Sequence, residues 1–385
     1  MLEILFSVLM LLLPITAILF KRFIPLFLFA IIGANPYVTA GALLLALLTR
    51  FQDIFKHKIN SSLLILCLIW LGYGLFIGLT NFSFAFVSEY IQLIIAILLL
   101  VYIYHTLNTE KQFIYLLKSL MLSGALLSCF EIIIFFIDQD INTPSFIGRI
   151  SENYTSFYLV ISTIIVPLFF RKKNGVLVVL LFLGFAAIYV NESRAMLLLS
   201  LLFVCKEFVS FSNILIRLFM SVILVSIFTY IVVTFDSALI YDPNSIFSIL
   251  NFENNFSNLE RLNLLLYSFQ LFISNLWGYG LGSSYDIFVN NPVTINEHYP
   301  HPHNTLAFLA VELGVIGVWL YIYFFYSMYL SIKKTIDMQI SKFIFNISLA
   351  LFLFSVVDVI FYNGVLMLIV FLLYAMALST QKYNG

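Results

Sequence analysis

Long apolar runs separated by short polar connections set the pattern of this chain. Measured against the roughly 20 residues a membrane-spanning helix needs, the runs cover residues 2–20, 23–34, 38–49, 62–79, 84–105, 113–137, 153–170, 175–190, 195–209, 214–235, 304–330, 342–360 and 364–380. The 23–49 stretch reads either as two short spans hinged at Asn35-Pro36 or as one bent helix, because proline breaks the hydrogen-bond ladder there. The pattern therefore predicts an all-α, polytopic transmembrane helix bundle of about 12 spans. One region departs from it. Residues 236–303 are rich in Asn, Ser and Pro with only short apolar patches, as expected of a compact cap on one side of the membrane. Within it Leu262, Leu265, Leu266 and Phe269 recur at helical spacing after Arg261, which predicts a helix starting at that arginine and lying on the membrane surface. The chain thus divides into a bundle at 1–235, a loop at 236–303 and C-terminal spans at 304–385. It has no internal repeat and no low-complexity tract.

Composition supports lipid as the solvent. Of 385 residues 62% are hydrophobic and 10% charged, where a soluble globule has about a quarter charged. The abundant Phe and Tyr suit bilayer interiors and interfaces. Cys67, Cys129 and Cys205 all lie in apolar stretches with no pairing pattern, so no disulfide framework is expected. The first apolar run carries Glu3 in place of a basic n-region and is followed by Lys21-Arg22, so it reads as a mature spanning helix rather than a signal peptide.

The formal net charge is zero, and only the placement of charge is informative. Every lysine and most arginines, from Lys21-Arg22 to Lys382, fall on alternate connections, which the positive-inside bias places in the cytoplasm. Arg149, Arg194 and Arg261 fall on the opposite, external side. Arginine's planar fork binds phosphate or carboxylate in a bidentate way, where lysine is only a point charge. The plainer reading is that they pair locally with Glu152, Glu192 and Glu260. That account becomes strained when asked of all three.

His301-Pro302-His303-Asn304 runs directly into a span containing Glu312, Gly314 and Gly317. Prolines 300 and 302 predict a helix start at or just after His303. An imidazole there lies at a helix N-terminus, where free N–H groups and the dipole favour an anion, and can act as a general base near neutral pH. The alternative is an interfacial cap, with the glycines present only for close helix packing.

His303-Asn304 followed by Gly314 and Gly317 resembles the signature at the end of the large periplasmic loop in the O-antigen ligase and polymerase superfamily. Asn191-Glu192-Ser193-Arg194-Ala195 at an external turn is similar to the family's first essential arginine, and Asn258-Leu259-Glu260-Arg261 to its second. Trp277-Gly278-Tyr279-Gly280-Leu281-Gly282 is similar to the glycine-rich stretch before the histidine. The likeness covers residues 150–320 in order and spacing. It implies a GT-C-like bundle with one large periplasmic loop in a bacterial inner membrane. It also implies an inverting, metal-independent transfer of glycan from an undecaprenyl diphosphate carrier to an acceptor hydroxyl. Arg194 and Arg261 would then bind the donor diphosphate and His303 would take or orient the hydroxyl proton; Arg149 is a weaker addition to the diphosphate set. Trp277, Tyr279, Tyr285, His301 and Asn304 are candidate glycan contacts, and Glu312, Gly314 and Gly317 structural residues. No metal, other cofactor or nucleic acid is expected; the expected partners are the lipid-linked oligosaccharide, membrane lipid and a chain-length regulator.

Other features admit blander readings. Asp138-Gln139-Asp140 resembles a metal-binding pair but sits at a solvated helix end. A zinc set of His298, His301 and His303 is made awkward by the intervening prolines. Gly278, Gly280 and Gly282 form either a phosphate nest or a plain turn. Four carboxylates, Glu89, Glu131, Glu312 and Asp358, lie inside apolar segments; Glu89 and Asp358 fall toward external helix ends, where they could line a cleft. Glu312 is placed too deep to serve as the base directly. A transporter of lipid-linked glycan is the rival class, disfavoured because no related halves are found. A purely structural membrane protein leaves the external arginines without a role. Within the family, residues 236–303 hold Asp236, Asp242, Glu253, Glu260, Asp286 and Glu297 against Arg261 alone. This acidity favours a polymerase over a ligase, whose lipid A core acceptor is highly phosphorylated, although salt screens the effect within about 10 Å.

Overall fold

The computed structural model describes residues 61–80, 82–107, 109–138, 152–170, 174–191, 193–209, 256–289, 301–335, 337–361 and 364–380. These residues form helices and connections, with no strand among them. In chain order the helices are α1 (Ser61–Thr80), α2 (Phe84–Thr106), α3 (Glu110–Asp138), α4 (Glu152–Phe170), α5 (Asn174–Val190), α6 (Arg194–Val209), α7 (Phe256–Ser274), α8 (Ser283–Val289), α9 (Thr305–Lys334), α10 (Met338–Val357) and α11 (Gly364–Ser379). Each apolar segment expected between 62 and 209 and between 304 and 380 coincides with a helix to within a few residues. The all-α class is as expected. Among the described residues the stretches Phe84–His105, Glu110–Ile133, Thr305–Lys334 and Met338–Val357 are long and apolar enough to cross a membrane. Ile65–Thr80, Thr155–Phe169, Gly175–Val190 and Leu366–Ser379 are shorter apolar helices. The expected spans at 2–20, 23–34, 38–49 and 214–235 lie outside the described residues, and the count of about 12 is not established by the four.

Large apolar side chains such as Phe84, Phe136 and Phe182 stand exposed on the outer faces of their helices. In water such a surface would drive association; facing acyl chains it is ordinary. Inside, α11 lies along α2, α10 pairs with α9, and α3, α4 and α5 pack on one another. Small residues let these backbones approach. A Cβ on Gly124 of α3 would strike Ser162 of α4, and one on Gly184 of α5 would strike Thr163, the small-residue packing expected of helices in lipid. Aromatic contacts fill the centre: Trp70 sits edge-on to Phe361, with centroids 4.7 Å apart, and Phe324 stacks on Tyr374 at 4.5 Å.

Asp337 accepts from the N–H of Ile340 (2.7 Å) and caps α10 after the short turn from α9, so the two run antiparallel. The start of α9 therefore meets the end of α10. Phe157 of α4 stacks on Phe354 of α10, 4.3 Å between centroids, so α4 begins at that end as well. The α5–α6 turn, with Arg194 opening α6, follows α4 back to the same end.

Helix α9 is broken in its upper third. Gly314 has φ 58 and ψ −142, a conformation that costs an L-residue with a Cβ far more than glycine. The loop between α7 and α8 fills the break. The N–H groups of Tyr279 and Gly280 donate to the carbonyls of Val311 and Glu312, each at 2.9 Å, and the Val315 N–H donates to the Leu276 carbonyl at 2.9 Å. Backbone groups released at a break within an apolar medium must find partners, and here the glycine-rich loop supplies them. Gly317 faces the Leu309 carbonyl across the break, where a Cβ would collide. The loop helix α7 begins at Phe256, about a turn before the expected start at Arg261. Leu264 of α7, Phe288 of α8 and Val311 of α9 form the small core that holds these pieces together.

Candidate functional site

The segment before α9 is fixed by its own polar groups. The side chain of Asn304, rather than His303, caps the helix, accepting from the Ala307 N–H at 2.9 Å, while its Nδ2 donates to the Val356 carbonyl at 3.1 Å. The Thr305 hydroxyl donates to the Asp358 carbonyl (2.9 Å) and accepts from the Ile360 N–H (3.0 Å). These bonds tie the start of α9 to the end of α10. They force His303 into the left-handed region, φ 46, the one non-glycine residue there among those described. Such conformations persist only where the surroundings over-determine them, and they concentrate at functional sites.

The consequence is a compact cluster. His303 Nδ1 lies 3.7 Å from Asp358 Oδ1, an ion-pair distance rather than a hydrogen bond. The imidazoles of His301 and His303 have centroids 4.3 Å apart, and the His303 N–H donates to His301 Nδ1 at 3.3 Å. An accepting Nδ1 assigns the proton of neutral His301 to Nε2. Arg261 of α7 is close enough to act on His301, and its buried Nε has no hydrogen-bond partner. His303 Nδ1 is likewise buried without a hydrogen-bond partner.

Electrostatics separate the two histidines. His301 is 2% exposed, and its pKa is lowered to about 3 by burial first and then by His303 and Arg261, against an opposing pull from Asp358. It is neutral across the physiological range. For Asp358 burial acts to raise the pKa, but His303, His301 and the Val359 N–H together outweigh it, and the carboxyl titrates below its ordinary range. Asp358 is thus an anion beside His303, suited to orient that imidazole and to stabilise it when it takes a proton.

Ligand atoms of His301, His303 and Asp358 lie within 4.8 Å of one another, close enough to share a metal ion. The neighbouring guanidinium of Arg261 acts on the same cluster and opposes a cation there. His298, from the alternative zinc set, lies outside the described residues, as do Asp140 and Arg149. The backbone of Arg194 opens α6 at the same end of the bundle; its side chain is outside the described part.

The other expected site residues are dispersed. Trp277 and Tyr285 are exposed on the loop, and the half-buried Tyr279 shares a hydrogen bond with Ser274 (2.7 Å). The N–H groups of Gly278, Gly280 and Gly282 are spent on Asn275, on the Glu312 carbonyl and on the Glu312 carboxylate. These amides stitch the loop to α9 and are not free to cradle a phosphate. Asp358 is the site residue the sequence did not assign to His303. Its one signal was a carboxylate near the external end of an apolar segment.

An all-helical bundle of membrane type, with an arginine–histidine–carboxylate cluster at one end, defines the class. A family model described as O-antigen ligase matches residues 178–322, from within α5 to within α9. These residues are similar to an O-antigen ligase domain, a likeness that supports the O-antigen ligase and polymerase superfamily. The stretch contains Arg194, Arg261, the glycine-rich loop and His303. A comparison with curated proteins found no match.

Proposed function

We propose that this chain is a membrane glycosyltransferase that moves a glycan from an undecaprenyl diphosphate carrier to an acceptor sugar hydroxyl at the periplasmic face of a bacterial inner membrane. The family domain supports the coarse activity, of O-antigen ligase or polymerase type. The observation that carries the finer reading is the placing of His303 between anionic Asp358 and neutral His301, with Arg261 beside them.

In this reading the acceptor hydroxyl attacks the anomeric carbon from the face opposite the diphosphate, and its proton passes to Nε2 of His303. The bond from anomeric carbon to diphosphate oxygen breaks, and undecaprenyl diphosphate leaves with the bonding pair. Asp358 holds the imidazole and stabilises it once protonated. Arg261, with Arg194 and Arg149 as expected partners, neutralises the charge growing on the diphosphate. No metal is assigned a role, and Arg261 occupies the electrostatic position a metal would take. The acidic loop favours a lipid-linked repeat over phosphorylated lipid A core as acceptor, so the reaction is chain polymerisation.

The test is expression in cells lacking their own polymerase and ligase, with the surface polysaccharide read on a gel. A ladder from wild type, lost in His303→Ala, Arg194→Ala and Arg261→Ala, is the expected result. Transfer of preformed chains to lipid A core without extension would make the enzyme a ligase. Wild-type behaviour in all three variants would reject the chemistry and favour a transporter.

A further inference from the structure

Two carboxyl groups lie away from the histidine cluster and take no part in the chemistry above. Glu312 is wholly buried on α9, two residues before the break. Its Oε1 accepts from the N–H groups of Gly282 (3.1 Å) and Ser284 (3.3 Å), while its Oε2 is buried with no hydrogen-bond partner. Glu89, half-buried in the second turn of α2, lies one turn after Ala85, on the stretch of α2 that Gly282 packs against, close enough for its carboxyl to act on Glu312. The backbone enforces the meeting. Gly282 passes so close to α2 that an added Cβ would stand 2.7 Å from the Phe86 nitrogen and 2.8 Å from the Ala85 carbonyl carbon. No lysine or arginine among the described residues acts on either carboxyl. The nearby hydroxyls of Tyr73 and Tyr90 are directed elsewhere, to the carbonyls of Trp277 (2.6 Å) and Leu71 (3.1 Å).

Two ionised carboxylates brought together in an apolar medium without a cation repel strongly, and one proton between them removes the repulsion. The Ser284 hydroxyl also bears on the Glu312 carboxyl, and the shared proton adds a donor that remains when that hydroxyl turns away. We propose that Glu89 and Glu312 hold a single proton between them, as an acid–carboxylate clasp that seats the glycine-rich loop in the break of α9. Glu89 supplies the tie to α2 and Glu312 the tie to Gly282 and Ser284. Seating the loop fixes the end of α7, the helix that carries Arg261 toward His301. Glu89 and Glu312 are therefore positioning residues. That role rests on the proposed function only in what is positioned; the clasp itself does not.

The test uses the full chain purified into lipid nanodiscs at neutral pH, with two readouts that do not require glycan transfer. In infrared difference spectra, wild type should show a protonated carboxyl band that Glu89→Gln and Glu312→Gln each remove, because the amide donates to the remaining carboxylate. Absence of such a band from both differences overturns the shared proton, whether the pair proves doubly ionised or holds a cation instead. In hydrogen exchange, amides at 279–284 should stay protected to within about 3-fold in Glu89→Gln and lose at least about 10-fold in Glu89→Leu, which removes the donor and the tie to α2. Unchanged protection in Glu89→Leu overturns the seating role. Absence of glycan transfer from wild type, with both readouts as expected, would reject the enzyme reading and leave the clasp standing.

Discussion

The two ends of α9 treat polar side chains in opposite ways. Toward its C-terminus hydroxyls are matched: Tyr321 with Ser355 at 2.8 Å, Ser327 with Tyr374 at 2.6 Å, Thr335 with Thr380 at 2.9 Å, and Ser331 with the Ser327 carbonyl at 3.0 Å. Around its N-terminus, Arg261 Nε and His303 Nδ1 are buried with no hydrogen-bond partner. Ser156 Oγ and Asn191 Nδ2, on the ends of α4 and α5 that face the same way, are in the same condition. An apolar medium penalises unmatched polar groups heavily. Paired hydroxyls mark scaffold. Unmatched groups gathered at one end mark a place built for something polar to enter, and a phosphorylated glycan is polar throughout.

The contrast can be broken by substitution. Apart from loss of His303 itself, Arg261→Ala should cost the most, about 10²- to 10³-fold in transfer rate, the range for losing one preorganised donor to developing negative charge; rates with lipid-linked donor in proteoliposomes measure it. Asp358→Asn keeps shape and removes the anion beside His303. It should lower the rate by on the order of 10²-fold, the lower end of what general acid–base catalysis contributes, with donor binding unchanged in the same assay. Gly314→Ala forces a Cβ against the Leu276 carbonyl and the Gly278 nitrogen at positive φ. A loss of about 1–3 kcal/mol is expected, visible as a lower Tm.

Acid should act selectively on the functional end. His301 titrates at about 3 in the fold and near 6.5 when unfolded. Between those values the unfolded chain takes up a proton that the folded chain refuses, so stability falls as pH drops below about 6.5. The contribution from Asp358, whose pKa is lowered, is lost only at still lower pH. His301→Gln should flatten the change in Tm between pH 7.5 and 5, roughly the window the shifted histidine leaves; an unchanged slope would remove His301 as its source. Tyr374→Phe, at the scaffold end, should cost least, roughly 0.6 kcal/mol and at most about 1.7, with transfer unaffected.

The helices were legible because lipid leaves a long apolar run little choice but to close its own hydrogen bonds. The runs at 84–105 and 342–360 accordingly became α2 and α10 with little change. The break at Gly314 was not legible. Its flanking residues are as apolar as any helix, and what permits it is a loop some 35 residues earlier whose amides fit the gap. Arg261 fell in the second turn of α7 because the helix opens through Phe256–Glu260, a stretch too polar to show helical periodicity. At the site, the His303 and Arg261 motifs could be read directly, while Asp358 needed the α9–α10 hairpin to bring it to 3.7 Å. The Gly282–Glu312 contact likewise comes from tertiary packing and leaves no local pattern.

The most direct test of the central claim is release of undecaprenyl diphosphate by purified protein in nanodiscs given a lipid-linked oligosaccharide, wild type against His303→Ala. The account predicts release coupled to glycan extension in wild type, and a fall of about 10²- to 10⁴-fold in the variant with Tm preserved. Equal release from both proteins, or extension without release, would contradict it.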